Sequence, residues 1–248
     1  GSTLALAYSQ THPARVMELV LRGIFLLTQF ELRWFYQEGA SALFPDRWEQ
    51  YLAPIPEKER GDLIRAFHSR LTSPDRDKQI AAARAWSMWE AATSHLHIDE
   101  KHVHTWSNED FAIAIARIEC HYFVNRGFFE REDQLLHNVS RIRDIPAVIV
   151  QGRYDVVCPM QTAWALHRAW PEAELQIVPD AELQKTLQTR ARMLRSHALE
   201  AVRQQEHQTA QTAPLFFRAG NELIDDHLSG VDEVAELRFP ADQGVGII

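Results

Sequence analysis

Cysteine is scarce in this chain, with only Cys120 and Cys158 among 248 residues. Two are too few for a secreted disulfide framework, so the reading is a reducing compartment with both thiols free. The sequon Asn138-Val139-Ser140 is then expected to go unused. No apolar run approaches the roughly 20 residues of a membrane-spanning helix, and no membrane partner is expected. Basic residues are outnumbered, 26 Lys and Arg against 34 Asp and Glu, for a formal charge of −8. That balance disfavours nucleic acid, whose binders turn a basic face to the phosphates. There is no internal repeat, and the lack of a signal-peptide pattern excludes little, because the first residues read as the interior of a domain and not as a beginning. What is present is apolar material, 46% of the chain, enough to bury a core in one α/β domain with an insertion or in two small domains. A small-molecule or peptide partner and a cytoplasmic location are the resulting expectations.

Small and apolar residues recur at helical spacing from Ser2 to His12, Pro13 stops that helix, and Val16 to Leu21 reads as a buried strand. Near the other end, Ile145 to Val150 predicts a strand, Gly152 to Pro159 a loop, Gln161 to Trp170 a helix and Glu174 to Val178 another strand. These pieces predict consecutive βα units of one parallel sheet. Between them, residues 30–143 are rich in Trp, Phe, Ala and charge, with no convincing strand. Breakers at Pro54-Ile55-Pro56, Ser73-Pro74-Asp75 and Ser107 to Asp110 divide this stretch into several helices. A helical block inserted between strands of one sheet is expected over their carboxyl ends, as a lid on the ligand site. The expected division is therefore core at 1–29, helical cap at 30–143, core again at 144–181, and a tail at 182–248. In the tail, Glu182 to Gln208 is expected as one exposed helix and Thr209 to Ile248 as irregular chain.

Asp155 comes directly after a buried strand, in Gly152-Arg153-Tyr154-Asp155, so its carboxylate is expected at a strand's carboxyl end. There it could orient a histidine, as the acid of a Ser-His-Asp triad does, or it could cap the next helix or close a turn. Gly1-Ser2-Thr3 opening an alanine-rich helix matches the segment just after the nucleophile in a G-x-S-x-G elbow, which would put that nucleophile two positions before Gly1. Two rival readings are a cloning remnant and Ser2 itself as nucleophile, the latter disfavoured because Ser2 falls inside the first helical turn. His95-Leu96-His97 and His102-Val103-His104 form two H-x-H pairs. They could ligate zinc on an extended strand, but without a Cys or structured carboxylate partner they read as solvated loop residues, and neither metal nor cofactor is expected.

A resemblance is carried by Gly1-Ser2-Thr3-Leu4-Ala5-Leu6-Ala7-Tyr8, Leu21-Arg22-Gly23-Ile24-Phe25, Trp34-Phe35-Tyr36-Gln37-Glu38-Gly39-Ala40, Trp86-Ser87-Met88-Trp89-Glu90, Ala116-Arg117-Ile118-Glu119-Cys120-His121-Tyr122-Phe123 and Val150-Gln151-Gly152-Arg153-Tyr154-Asp155. In this order they resemble proline iminopeptidases, α/β-hydrolase serine peptidases that release proline from peptide N-termini. The similarity runs from Gly1 to Ala181. The resemblance implies a partial α/β-hydrolase parallel sheet with a helical cap, and then a tail foreign to the family. It also implies Asp155 as the triad aspartate, Glu90 and Glu119 as cap carboxylates that hold the substrate's amine, and Arg22, Phe25 and Phe35 around the proline pocket. Phe35 stands where some members have Tyr, so one hydroxyl contact would be lost.

Spacing agrees for the glutamates. Glu119 lies four residues after Ile115 and three before Tyr122, and Glu90 four after Trp86, so each is expected to border an apolar helix face. Two carboxylates close together in a partly dry pocket raise each other's pKa unless a cation joins them, and a protonated N-terminal amine is such a cation. The family's triad histidine would come after Ala181 in a Gly-His pair. Glu182-Leu183 stand there, and His197, His207 and His227 are poorly placed to replace it.

The expectation is acyl-transfer chemistry on peptides with an N-terminal proline for the parent enzyme, with this chain alone inactive for want of serine and histidine. Two alternatives stay open: a non-catalytic relative that binds amine-bearing ligands, and another capped hydrolase such as an esterase or epoxide hydrolase. Half a parallel sheet would expose an unpaired edge and apolar faces. The 248-residue polypeptide is accordingly expected to be marginally stable, and a cooperative thermal transition of a monomer would contradict this.

Overall fold

The computed structural model describes residues 1–95, 109–182, 236–237 and 246–247. His97, His102 and His104 of the H-x-H pairs lie outside the described residues. So do the helix expected up to Gln208 and the three downstream histidines.

Helix α1 (Ser2–Thr11) buries Ser2, Ala5, Leu6, Ser9 and Gln10 along one side. It stops at His12 because the residue before a proline is pushed out of helical geometry. A short 3-10 turn at Pro13–Arg15 closes with the Val16 N–H on the Pro13 carbonyl. That turn delays β1 to Leu19–Arg22, later than the pattern suggested, and the strand continues to Arg22 because it pairs in parallel with β2 (Ala147–Gly152), Leu19 opposite Ala147 and Arg22 opposite Val150. Pro146 cannot donate to the ladder, yet its carbonyl accepts from the Leu19 N–H. Strand β2 is buried at nearly every position, as expected of a central parallel strand covered on both faces. β3 (Glu174–Val178) pairs in parallel with β2, half-buried or exposed along its length.

The sheet order is β3-β2-β1-β4-β5, where β4 (Glu236–Leu237) pairs antiparallel with β1 and β5 (Gly246–Ile247) pairs antiparallel with β4 at the edge. No strand is expected from the sequence in that region, since two residues carry no alternation that a pattern could show.

Between β1 and β2 the described chain is helical: α2 (Gln29–Tyr36), α3 (Pro45–Leu52), α4 (Leu63–Leu71), α5 (Arg76–Thr93), α6 (Glu109–Val124) and the single turn α7 (Gln134–His137). Asp62 and Asp75 cap α4 and α5 by accepting from the Arg65 and Lys78 N–H groups. This insertion has its own core, centred on Trp86, Trp89, Tyr51, Phe35 and Phe67, with the Tyr51 and Phe67 rings stacked at 4.6 Å. A second core under the sheet joins Leu6 of α1, Leu19 and Leu21 of β1, Ile149 of β2, and Leu166 and Trp170 from α8 (Met160–Ala169) and its end.

The two cores are linked by residues 23–28, and Glu31 fixes that link. Its carboxylate is wholly buried, and burial raises its pKa. It accepts from the N–H groups of Leu26 and Thr28 and from the Thr28 hydroxyl, while Thr28 Oγ1 accepts from the Glu31 N–H, completing a capping box at the start of α2. Replacing Glu31 with Ala strips the buried Leu26 N–H and the half-buried Thr28 N–H of their acceptor and is expected to lower unfolding free energy by about 3 kcal/mol. Urea denaturation measures this, and a loss below about 1 kcal/mol would mean that water reaches the loop.

Candidate functional site

The end of β1 is built so that its loop turns under the cap. Gly23 leaves the strand at φ 52, a left-handed conformation open to glycine at little cost. Ser2, in the first turn of α1, donates from its hydroxyl to the Gly23 carbonyl at 3.0 Å and accepts from the Phe25 N–H at 3.0 Å. The Thr3 hydroxyl donates to the Phe25 carbonyl. Ser2 is buried with its hydroxyl engaged on both sides, which is the geometry of a loop anchor and not of an exposed nucleophile.

Asp155 sits in the loop after β2 and is 5% exposed. Cys158 donates its N–H to Oδ1 at 2.7 Å, and Gln151 donates from Nε2 to Oδ2 at 3.1 Å and to the Cys158 carbonyl at 2.8 Å. The carboxylate therefore closes a turn, one of the readings open from sequence; α8 has no side-chain cap from it. Gln151 also accepts from the Ile24 N–H at 2.9 Å, so one buried amide ties the acid loop to the loop after β1. Burial, helped by the Glu182 carboxylate, pushes Asp155 up to about 7 against the pull of these hydrogen bonds. Glu182 is brought there by the Arg153 and Tyr154 N–H groups, which donate to the carbonyls of Val178 and Ala181. Among the described residues, Asp155 accepts hydrogen bonds from Gln151, Cys158 and Val157, none of them a histidine.

Above this loop, α5 and α6 bring Glu90 and Glu119 into side-chain hydrogen-bonding contact. The Tyr36 hydroxyl donates a short hydrogen bond to Glu90 Oε1, and Trp86 Nε1 donates to Glu119 Oε2 at 2.9 Å. The two donor rings are stacked on each other, 4.3 Å apart and 13° from parallel. Burial, then the charge of Glu119, pushes Glu90 well above the ordinary carboxylate range, and the Tyr36 bond opposes this. Of the two residues whose spacing pointed to an apolar face beside Glu119, Tyr122 does not lie on the buried side of α6. Tyr122 is about half exposed and Ile115 half-buried, and the buried residues are Ala112, Ile113, Ala116 and Cys120, which Glu119 borders from its own side.

The remaining expected residues are spread around this pair. Arg22 is half-buried at the end of β1. Phe25 meets Phe123 edge-on at 5.9 Å, and Phe123 in turn lies against Tyr36 and Trp86, so Phe25 borders the carboxylate pair's aromatic surround. Phe35 is 2% exposed, inside the cap core against Tyr36 and Trp89, whose indole donates to the Phe35 carbonyl. Val156 and Val157 pack against the cap core, and Trp34 Nε1 donates to the Val156 carbonyl, so the acid loop and the cap are in direct contact. Cys120 and Cys158 are free and buried, and burial raises both thiols. Sequence reading gave no role to Tyr36, Trp86, Gln151 or Glu31. Only Trp86 left a signal, its i to i+4 spacing from Glu90. Among the described residues no group of three or more His, Cys, Asp or Glu is arranged to hold a metal, and no helix is long and apolar enough to cross a membrane.

A carboxyl held near pKa 7 in the folded protein and near 3.8 when unfolded stabilises the fold fully below about pH 4. That contribution is lost as pH rises through about 7, because the native state holds the extra proton. Wild-type stability is therefore expected to decline relative to Asp155→Asn between about pH 4 and pH 7, by a few kcal/mol at most. Parallel urea curves across that range would show Asp155 to be ionised throughout.

Residues 1–182 match the sequence profile of the α/β hydrolase fold. Over 181 residues the chain is 64% identical to the proline iminopeptidase of Xylella fastidiosa (strain Temecula1 / ATCC 700964), covering 73% of this chain and 58% of that one. It is 58% identical over 182 residues to the proline iminopeptidase of Arabidopsis thaliana, covering 73% and 48%, and 46% identical over 179 residues to that of Neisseria gonorrhoeae, covering 72% and 56%. The chain thus spans about half the length of these relatives. With a parallel sheet, a helical insertion after β1 and an acid loop after β2, all within the matched residues, the chain belongs to the α/β hydrolase fold family, and over that stretch it resembles the proline iminopeptidases.

Proposed function

We propose that this chain carries the amine-gripping cap and the triad acid of a serine aminopeptidase that releases N-terminal proline from peptides. The observation that carries the reading is the meeting of Glu90 and Glu119, from separate helices, at a partly dry site with a donor fixed on each. A protonated prolyl amine is the ligand such a pair favours, since it supplies the cation that lets both carboxylates ionise. Arg22, Phe25 and Phe35 are assigned to the surround of the pyrrolidine ring. In the complete reaction a serine attacks the prolyl carbonyl, a histidine takes its proton and returns it to the leaving amine, and Asp155 orients that histidine. The described residues supply the acid and the amine site. The partners are peptides with a free N-terminal proline. Two buried free thiols support a reducing, cytoplasmic setting.

A second reading is favoured by Glu182, whose negative charge bears on Asp155 from the segment after β3. A carboxylate there does not serve as the imidazole base, so the 248-residue polypeptide binds without hydrolysing.

Calorimetry with L-prolinamide tests the amine site. Wild type is expected to bind, Glu90→Gln and Glu119→Gln to weaken binding by at least about tenfold, and N-acetylprolinamide not to bind. Equal affinity for the neutral and charged ligands would sink the assignment. In the same samples the 248-residue polypeptide is expected to release no proline from a prolyl amide, and turnover that survives removal of contaminating peptidases would refute its inactivity.

A further inference from the structure

Glutamate has three side-chain torsions, so two glutamates that merely meet do not hold a fixed geometry; something rigid must orient them. The stacked rings of Tyr36 and Trp86 have that rigidity. Trp86 is fully buried and Tyr36 4% exposed, and Phe35 and Phe123 lie against the Tyr36 ring at 4.8 and 5.3 Å. Each ring points one donor at the pair, the phenol O–H to Glu90 Oε1 and the indole N–H to Glu119 Oε2, with the indole bearing on Glu90 as well. An indole N–H can only donate, so its partner oxygen must accept.

We infer that Tyr36 and Trp86 are positioning residues, a stacked pair of hydrogen-bond donors that orients Glu90 and Glu119 and keeps them ionisable for a secondary amine. This rests on the amine-site reading above and assigns it two residues that act through the glutamates. The groups facing Glu90 are Tyr36 from α2, Tyr51 from α3, Glu119 from α6 and Cys158 from the acid loop, with Cys120 beside Tyr51. From α4, His68 faces His121, and Arg70 is held by Glu59. Burial and Glu119 favour the protonated form of Glu90, and the Tyr36 and Trp86 bonds oppose them. Loss of the Tyr36 O–H removes one opposing donor, so Glu90 keeps its proton to higher pH and amine capture becomes harder.

The test is Tyr36→Phe, which keeps the ring and removes the donor. In ligand-free protein, carbon-13 carboxyl NMR is expected to show the Glu90 titration midpoint moved upward. L-Prolinamide binding is expected to weaken about tenfold, as for loss of a hydrogen bond to a charged group, and its pH dependence to shift the same way. An unmoved Glu90 midpoint means that Tyr36 only fills space and overturns the inference. Glu90→Gln reads the same bond from the other end and covers the case in which Tyr36→Phe fails to fold. The ring-carbon titration of Tyr36 is then expected to move down, since the Glu90 charge helps to hold it up, and no movement overturns the inference. If wild type binds no prolinamide at any pH, the proposed function fails, and the ligand-free titrations still decide the role of Tyr36.

Discussion

The backbone of residues 24–28 must run buried between a sheet and a helical layer, and a buried peptide N–H needs an acceptor. No strand or helix supplies one here. Side chains do: the Ile24 N–H goes to Gln151, Phe25 to the Ser2 hydroxyl, and Leu26 and Thr28 to the Glu31 carboxylate. These acceptors come from β2, α1 and α2, so satisfying one short loop fixes those three elements relative to the end of β1. Phe25, Gln151 and the start of the cap are held in register by that requirement.

The site's electrostatics arise from the same burial. Glu31, Glu90 and Asp155 are all raised first by loss of water and only partly restored by hydrogen bonds. They differ in what answers the cost. Glu31 is answered by the donors of its capping box together with the Leu26 N–H and the Thr162 hydroxyl, and its task is structural. Asp155 is answered by Gln151 and a turn N–H, with a second carboxylate, Glu182, working against them. Glu90 is answered by ring donors fixed in a stack and opposed by Glu119. Carboxylates kept poised by competing influences are where an added cation or imidazole has the largest effect.

The order of elements could be read in advance because it rests on local rules. Pro13 ends α1 through the geometry of the residue before proline, and the β-branched run at residues 148–150 marks a buried strand. The breaker Ser73-Pro74-Asp75 falls just where α5 begins. Strand limits were off by a few residues because the ladder, not the local pattern, sets them: β1 ends where β2 stops pairing with it, and β2 extends to Gly152 to meet β3. On α6 Tyr122 stays about half exposed, since the helix buries Ala112, Ile113, Ala116 and Cys120 instead.

Sequence alone determined the alternation of strand and helix, the helical insertion, and the position of Asp155 just past a buried strand. These depend on residues within a few positions of one another, whose spacing is fixed by the covalent chain. Only the tertiary structure decided that Tyr36 and Trp86, far apart in the chain, stack and each hold one glutamate, that Gln151 joins two loops, and that Ser2 serves as an anchor. Those outcomes depend on which side chains meet when helices pack, and packing is settled by the volume and hydrogen-bonding needs of the whole core at once.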